Sequence, residues 1–182
     1  MRVITGTARG RRLAEPKDMS IRPTTDQVKE ALFSIVQFDV PGRRVLDLFA
    51  GTGQLGIEAL SRGAGECVFV DQDSAALELV RKNLDTCGFT AQAVRSDALT
   101  YLSRCGCGKF DLVFVDPPYH AGLYDDVLGT LFGFDILSVG GIIMIESMRG
   151  TVLPEAPVPY VRGRDYAYGK VALTRYSRGS DK

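Results

Sequence analysis

Val45-Leu46-Asp47-Leu48-Phe49-Ala50-Gly51-Thr52-Gly53-Gln54-Leu55-Gly56 decides how this chain reads. An apolar run enters a glycine-rich turn, and a helical pattern over Leu55–Ser61 follows it. Such a junction lets backbone N–H groups and a helix N-terminus come close to a ligand. After that the chain alternates between strand-like and helical stretches. Strand-like runs are expected at Val45–Phe49, Cys67–Asp71, Ala91–Arg95, Leu112–Asp116 and Ile142–Glu146. Helical patterns lie between them at Leu55–Ser61, Ser74–Leu84, Ala98–Leu102 and Leu123–Leu131. Near-continuous apolar strands alternating with helices predict a parallel sheet covered on both faces. Val158–Arg162 and Lys170–Tyr176 read as an antiparallel pair closing one edge. The expectation is a doubly wound α/β domain with a mostly parallel, seven-stranded Rossmann-like sheet. In such sheets ligands bind at the carboxyl ends of the strands, near the switch in strand order.

Upstream of the sheet, a helix is expected from about Thr24 to Phe38. Val28, Ala31, Leu32, Ile35 and Val36 share one helical face, Thr24 or Thr25 can cap it, and Pro41-Gly42 follows it. Before that, Arg2-Val3-Ile4-Thr5-Gly6 and Gly10 through Leu13 suggest a short hairpin with an arginine-rich edge. The expected division is a basic extension over residues 1–22 and a main domain over 23–182.

With 182 residues, 45% of them hydrophobic and 24% charged, the chain matches one globular domain. Low-complexity and disordered classes are excluded, and no apolar run reaches the ~18 residues of a membrane span. Met1 to Gly6 lacks the apolar core of a secretory signal, so a cytoplasmic chain with no membrane role is expected. A net charge of zero hides an uneven distribution: residues 1–22 carry +4, residues 160–182 carry +4 and the middle carries −8. Two basic ends on an acidic body suit a polyanion held at the ends and another ligand held by the body; solvated termini are the plainer alternative. Cys67, Cys87, Cys105 and Cys107 form no Cys-x-x-Cys pair, and His120 is the single histidine. Reduced thiols and no metal site are expected.

Gly51-x-Gly53-x-x-Gly56 with Asp71 twenty residues beyond Gly51 also fits a dinucleotide fingerprint. Three acids favour S-adenosylmethionine instead. Asp47 lies inside the strand, where a carboxylate suits the cationic methionyl end, directly or through water, better than a pyrophosphate. Asp71 ends the next strand and can accept both ribose hydroxyls. Asp97, in Ser96-Asp97-Ala98, can accept from an adenine amine, or cap the helix that follows it, or do both. Asp73 and Ser74 can cap the helix after Asp71, which leaves Asp71 for a ligand.

The fourth strand ends in Asp116-Pro117-Pro118-Tyr119. Two prolines fix the backbone and expose carbonyls that no ladder claims. Asp116 and the Pro117 carbonyl can accept two amine hydrogens, and Tyr119 can stack on a planar ring.

With the Gly51-Thr52-Gly53 loop, this tetrapeptide resembles the class I methyltransferases that act on exocyclic amines of nucleobases. Arg2 to Gly6, Arg9-Gly10-Arg11-Arg12-Leu13, Arg22-Pro23-Thr24-Thr25-Asp26, Glu30 to Phe33 and Tyr168-Gly169-Lys170-Val171 make the chain similar, over nearly its whole length, to the bacterial 16S rRNA guanine-N2 methyltransferase family. The resemblance implies methyl transfer from S-adenosylmethionine, leaving S-adenosylhomocysteine, to one guanine amine of 16S rRNA. The rRNA would be free or within a small subunit or its assembly particle, with no obligate protein partner. The expected cofactor residues are Asp47, Phe49, Gly51, Thr52, Gly53, Asp71, Gln72, Asp97, Ala98 and Asp116. The expected catalytic residues are Asp116, Pro117 and Tyr119, and the expected RNA contacts are Arg2, Arg9, Arg11, Arg12 and Arg22. Arg162, Arg164 and Lys170 could add to these contacts. One departure is Asp71, where the family usually has Glu, so a ribose contact there would be longer or bridged by water. Rival readings are an amine methylase acting on adenine N6 of DNA or RNA, or on a protein glutamine. An NAD(P)-dependent oxidoreductase is a further rival, but it lacks an evident hydride-relay residue.

Overall fold

The computed structural model describes residues 1–16, 25–118 and 122–180. Among these, the order is α1 (Asp26–Ile35), β1 (Arg44–Asp47), α2 (Gln54–Ser61), β2 (Glu66–Asp71), α3 (Ser74–Cys87), β3 (Gln92–Arg95), α4 (Ala98–Leu102), β4 (Phe110–Val115), α5 (Tyr124–Gly133), β5 (Leu137–Met148), β6 (Tyr160–Tyr168) and β7 (Val171–Arg178). The strands form one sheet in the order β3-β2-β1-β4-β5-β7-β6. The first five run parallel, and β7 pairs antiparallel with both β5 and β6. The strand order reverses between β1 and β4, which opens the ligand crevice at their carboxyl ends.

Apolar residues of β1, β2 and β4 alternate between two cores. Val45, Phe69, Leu112 and Phe114 pack with α1, α2 and α3, whereas Leu46, Val68, Val113 and Val115 pack with α4 and α5. This two-sided burial explains the near-continuous apolar runs. Among the described residues no helix is long and apolar enough to cross a membrane.

Several boundaries differ from the sequence reading, among them β5, which starts five residues earlier than expected, at Leu137. The α1 helix stops at Ile35, capped at its start by Thr25, whose hydroxyl accepts from Val28 N at 3.3 Å. α3 runs on to Cys87 and ends at the left-handed Gly88. β6 continues through Arg162-Gly163-Arg164-Asp165 to Tyr168 because it is an edge strand, exposed enough to tolerate charges and a register shift between Arg162 and Asp165.

The N-terminal arm pairs Arg2 with Arg12 in a single antiparallel bridge. Val3, Ala8 and Leu13 join the same apolar cluster as α1, α2 and α3. Arg2, Arg9, Arg11 and Arg12 of the arm are all exposed. The arm is pinned to α2. Glu58 accepts from Ile4 N at 2.8 Å and Thr5 N at 3.0 Å, and Ser61 bonds Ala8 N and the Thr5 carbonyl. Lys29 of α1 donates to the Arg2 carbonyl at 2.6 Å and pairs with Glu58 at 3.7 Å, both side chains fully buried.

Candidate active site

The loop between β1 and α2 is built by its glycines and held by two carboxylates. Gly51 and Gly53 are both left-handed, with φ of 53° and 77°, and Gly53 forms the N-cap of α2. Gly56 lets α2 lie directly on the sheet: a Cβ there would stand 2.3 Å from the Phe69 ring. Asp71 accepts from Gly51 N at 2.8 Å through one oxygen and from Asp73 N at 2.9 Å through the other. A carboxylate has about four acceptor positions. Asp71 therefore shapes the loop and keeps capacity for a ligand. The α3 cap is Asp73, which accepts from Ala75 N at 2.9 Å.

Asp47 is 2% exposed and accepts from Gly56 N at 2.9 Å, so it supports the loop from within. Burial pushes its carboxyl up to about 7, with the Gly56 N–H opposing and Asp71 adding to the rise. An ordinary aspartate titrates near 3.8. The folded chain thus keeps a proton that the unfolded chain gives up. The contribution of this group to stability is complete below about pH 4 and is lost as pH rises through about 7. We expect Asp47→Asn to flatten that decline, so that its stability relative to wild type improves between pH 4 and pH 8. Urea unfolding across this range checks it, and parallel curves for the two proteins would refute it.

The other predicted cofactor residues sit along the same strand ends. Phe49 is half-buried and Thr52 is buried. Gln72 is exposed after β2, and its carbonyl accepts from Arg95. Asp97 caps α4 by accepting from Thr100 N at 3.0 Å, beside the buried Ala98. Asp97 is exposed, so a second contact remains open to it.

Asp116 and Pro117 follow β4. β1 and β4 pair in parallel up to Asp47 and Phe114, so Phe49 and Asp116 each lie two residues beyond the last paired position of neighbouring strands. Asp116 is half-buried and Pro117 buried. Tyr119 and Arg22 lie outside the described residues, as do Pro23, Thr24 and His120. Two residues at the site went unseen in the sequence. Tyr124, the first residue of α5, is buried and donates to the Glu146 carbonyl at 3.1 Å, tying α5 to the end of β5. Burial raises its phenol pKa, and the charges of Asp116 and Glu146 add to the shift. Gln54, first in α2, holds a buried Oε1 with no hydrogen-bond partner among the described residues.

On the arm, Arg2 pairs with Asp26, while Arg9, Arg11 and Arg12 form no ion pair among the described residues. Arg162 is engaged by Asp165 and Glu155, Arg164 lies over the Tyr166 ring at 4.6 Å, and Lys170 is exposed.

A doubly wound sheet with β7 inserted antiparallel beside β5, a left-handed glycine loop after β1 and an Asp-Pro-Pro tip after β4 together define a Rossmann-like methyltransferase. A solved Escherichia coli structure, provisionally named methyltransferase yhhF, superimposes with a TM-score of 0.88 at 36% identity, covering 100% of this chain and 99% of its own. The chain belongs to the family described as Conserved hypothetical protein 95, whose model matches residues 1–177. Its relatives include a Bacillus subtilis protein provisionally named rRNA methyltransferase YlbH, 40% identical over 98% of this chain and 99% of the relative. They also include the Escherichia coli ribosomal RNA small subunit methyltransferase D, 36% identical over 98% of this chain and 90% of the relative.

Proposed function

We propose that this chain transfers a methyl group from S-adenosylmethionine to the exocyclic N2 amine of a guanine in 16S rRNA, in the cytoplasm. The observation that carries this reading is that Asp116-Pro117 follows β4 and the Gly51–Gly53 loop follows β1, at the carboxyl ends of two paired parallel strands where the strand order reverses. The relatives' names point to small-subunit rRNA as the substrate class.

The residues present fit the cofactor. Gln54 Oε1 is a buried acceptor with no donor among the described residues, and the methionyl ammonium would supply one. The loop Gly51–Gly53 would hold the methionyl part with Phe49 and Thr52, Asp71 and Gln72 would meet the ribose, and Asp97 and Ala98 the adenine. When bound, S-adenosylmethionine supplies an electrophilic methyl group on a sulfonium. A guanine amine is a poor nucleophile because its lone pair is delocalised into the ring, so the protein must align and polarise it. Asp116 and the Pro117 carbonyl accept the two amine hydrogens and turn the lone pair towards the methyl. The amine becomes acidic only after attack, and Asp116 or water then takes its proton. The base must leave its stack to enter, at a cost of a few kcal/mol, partly offset by stacking on Tyr119.

Mass spectrometry of 16S rRNA nucleosides from cells lacking the gene tests the reading. Loss of one N2-methylguanosine, restored by adding the purified protein and S-adenosylmethionine, is expected. Unchanged N2-methylguanosine, or loss of N6-methyladenosine in its place, would overturn it.

The exposed arm arginines would hold RNA phosphates. Replacing Arg9, Arg11 and Arg12 by alanine should lower the log–log salt slope of RNA binding by up to about 3 on duplex-like charge density, and by less on single strands. Filter binding between 50 and 200 mM salt measures it, and an unaltered slope would make these arginines merely solvated.

A further inference from the structure

We infer that Asn83 couples docking of the basic arm on RNA to the shape of the cofactor loop. The inference rests on the proposed reading of the arm as the RNA contact and of Gly51–Gly53 as the cofactor loop. Asn83 belongs to α3, 31 residues beyond the loop and 69 beyond the arm, and it is fully buried. Its carboxamide touches both. Oδ1 accepts from Ala14 N at 2.7 Å, and Nδ2 donates to the Ala14 carbonyl at 3.2 Å and to the Thr52 carbonyl at 2.9 Å. Met1 adds a second link, because its sulfur lies 3.6 Å from the Thr52 hydroxyl.

An amide offers two donors and one acceptor oxygen, and every one of these is used here. With the arm seated, Ala14 fixes the amide plane, and the amide plane fixes the Thr52 carbonyl between the two left-handed glycines. With the arm displaced, Asn83 loses two of its three bonds and can no longer hold the Thr52 carbonyl in one orientation. Phosphates on Arg9, Arg11 and Arg12 bias the arm towards the seated state. A cofactor that binds the ordered loop favours the same state. Two ligands that favour one state must tighten each other's binding by the same factor. Asn83 is therefore a positioning residue: it acts through Thr52 and Ala14.

The test is the affinity of the full chain for S-adenosylhomocysteine, by calorimetry, with and without unmodified 16S rRNA. In wild type the RNA should tighten binding about fivefold or more, the lower end of typical coupling. Asn83→Leu keeps the volume and removes all three bonds; it should reduce the factor to below about twofold. Asn83→Asp keeps only the bond from Ala14 N and should give the same loss, and it decides the matter if Asn83→Leu does not fold. A general loss of stability would weaken binding in both arms of the measurement and leave their ratio unchanged. A wild-type ratio of one, or a ratio retained in both variants, overturns the inference while leaving the arm reading intact. If the triple arginine variant binds RNA as tightly as wild type and with the same salt slope, the arm reading itself fails, and the coupling with it.

Discussion

Asp116→Ala is expected to slow single-turnover methylation about 100-fold or more while S-adenosylhomocysteine affinity stays nearly unchanged. The size follows from the loss of one preorganised group that acts on developing charge, about 2.7–4 kcal/mol. The selectivity follows from position. Asp116 follows β4, the neighbour of β1, and the Gly51–Gly53 loop after β1 is shaped by other carboxylates, Asp47 from within and Asp71 at Gly51 N. Pro117 is buried and Tyr124 ties α5 to the end of the neighbouring β5, so the acceptor stays aimed without help from substrate. Asp116→Asn keeps the shape and loses the charge, and it should also fall well below wild type. Tyr119→Phe keeps a stacking ring and should be mild, whereas Tyr119→Ala should cost about 1–3 kcal/mol of base binding. Single-turnover methylation of 16S rRNA beside calorimetric cofactor binding separates the two effects. Wild-type rates in Asp116→Ala, or equal damage from Tyr119→Phe and Tyr119→Ala, would defeat the assignment.

β1, β2, β4 and β5 were legible because parallel strands buried on both faces must be apolar at consecutive positions, whereas β3, an edge strand with no buried residue, left a weaker run. The glycine loop was legible because its conformation admits almost no other residue at 51 and 53. β6 was cut short because Arg162-Gly163-Arg164-Asp165 breaks the apolar pattern, and the edge of a sheet does not need that pattern. What the acids do within the structure was less legible than the strands that carry them. Asp47 and Asp71 read as ligand contacts, but a sequence does not show how much of a carboxylate is already taken by backbone N–H groups, and here both hold the loop.

The attachment of the arm was not legible at all, because it depends on polar side chains that sequence rules assign to solvent. The signal was their helical register. Lys29 lies three and four residues before Leu32 and Phe33, on the buried face of α1. Asn83 lies three after Val80, on the buried face of α3. A lysine or asparagine in an apolar stripe must find a partner, and in this chain the partners are the carbonyls and amides of the arm. Glu58 is harder to see, since α2 is buried almost all round and offers no polar face for comparison.

Glu58→Ala is expected to be among the most destabilising single substitutions in the chain, at about 3–5 kcal/mol, the range for removing one partner of a buried ion pair. Against a total stability of about 5–15 kcal/mol that is a large share. Glu58 is the hub. Its two oxygens take Ile4 N, Thr5 N and the Arg62 guanidinium, with Lys29 at 3.7 Å, and the side chain is fully buried. Its removal leaves two backbone donors without an acceptor and Lys29 and Arg62 without their counter-charge. Lys29→Met removes less. Glu58 keeps Arg62 and both amides, and the Arg2 carbonyl loses one donor, so about 1–3 kcal/mol is expected. Burial lowers the Lys29 pKa while Glu58 raises it. Without Glu58 the balance tips towards the neutral amine, which still donates to the Arg2 carbonyl and keeps the cost of Glu58→Ala from rising further. Urea unfolding gives both values. Trypsin adds a local readout, because Glu58→Ala frees the arm and should speed cleavage at Arg9, Arg11 and Arg12 more than Lys29→Met does. The hub assignment is wrong if Lys29→Met costs as much as Glu58→Ala, or if the arm of Glu58→Ala resists trypsin as wild type does.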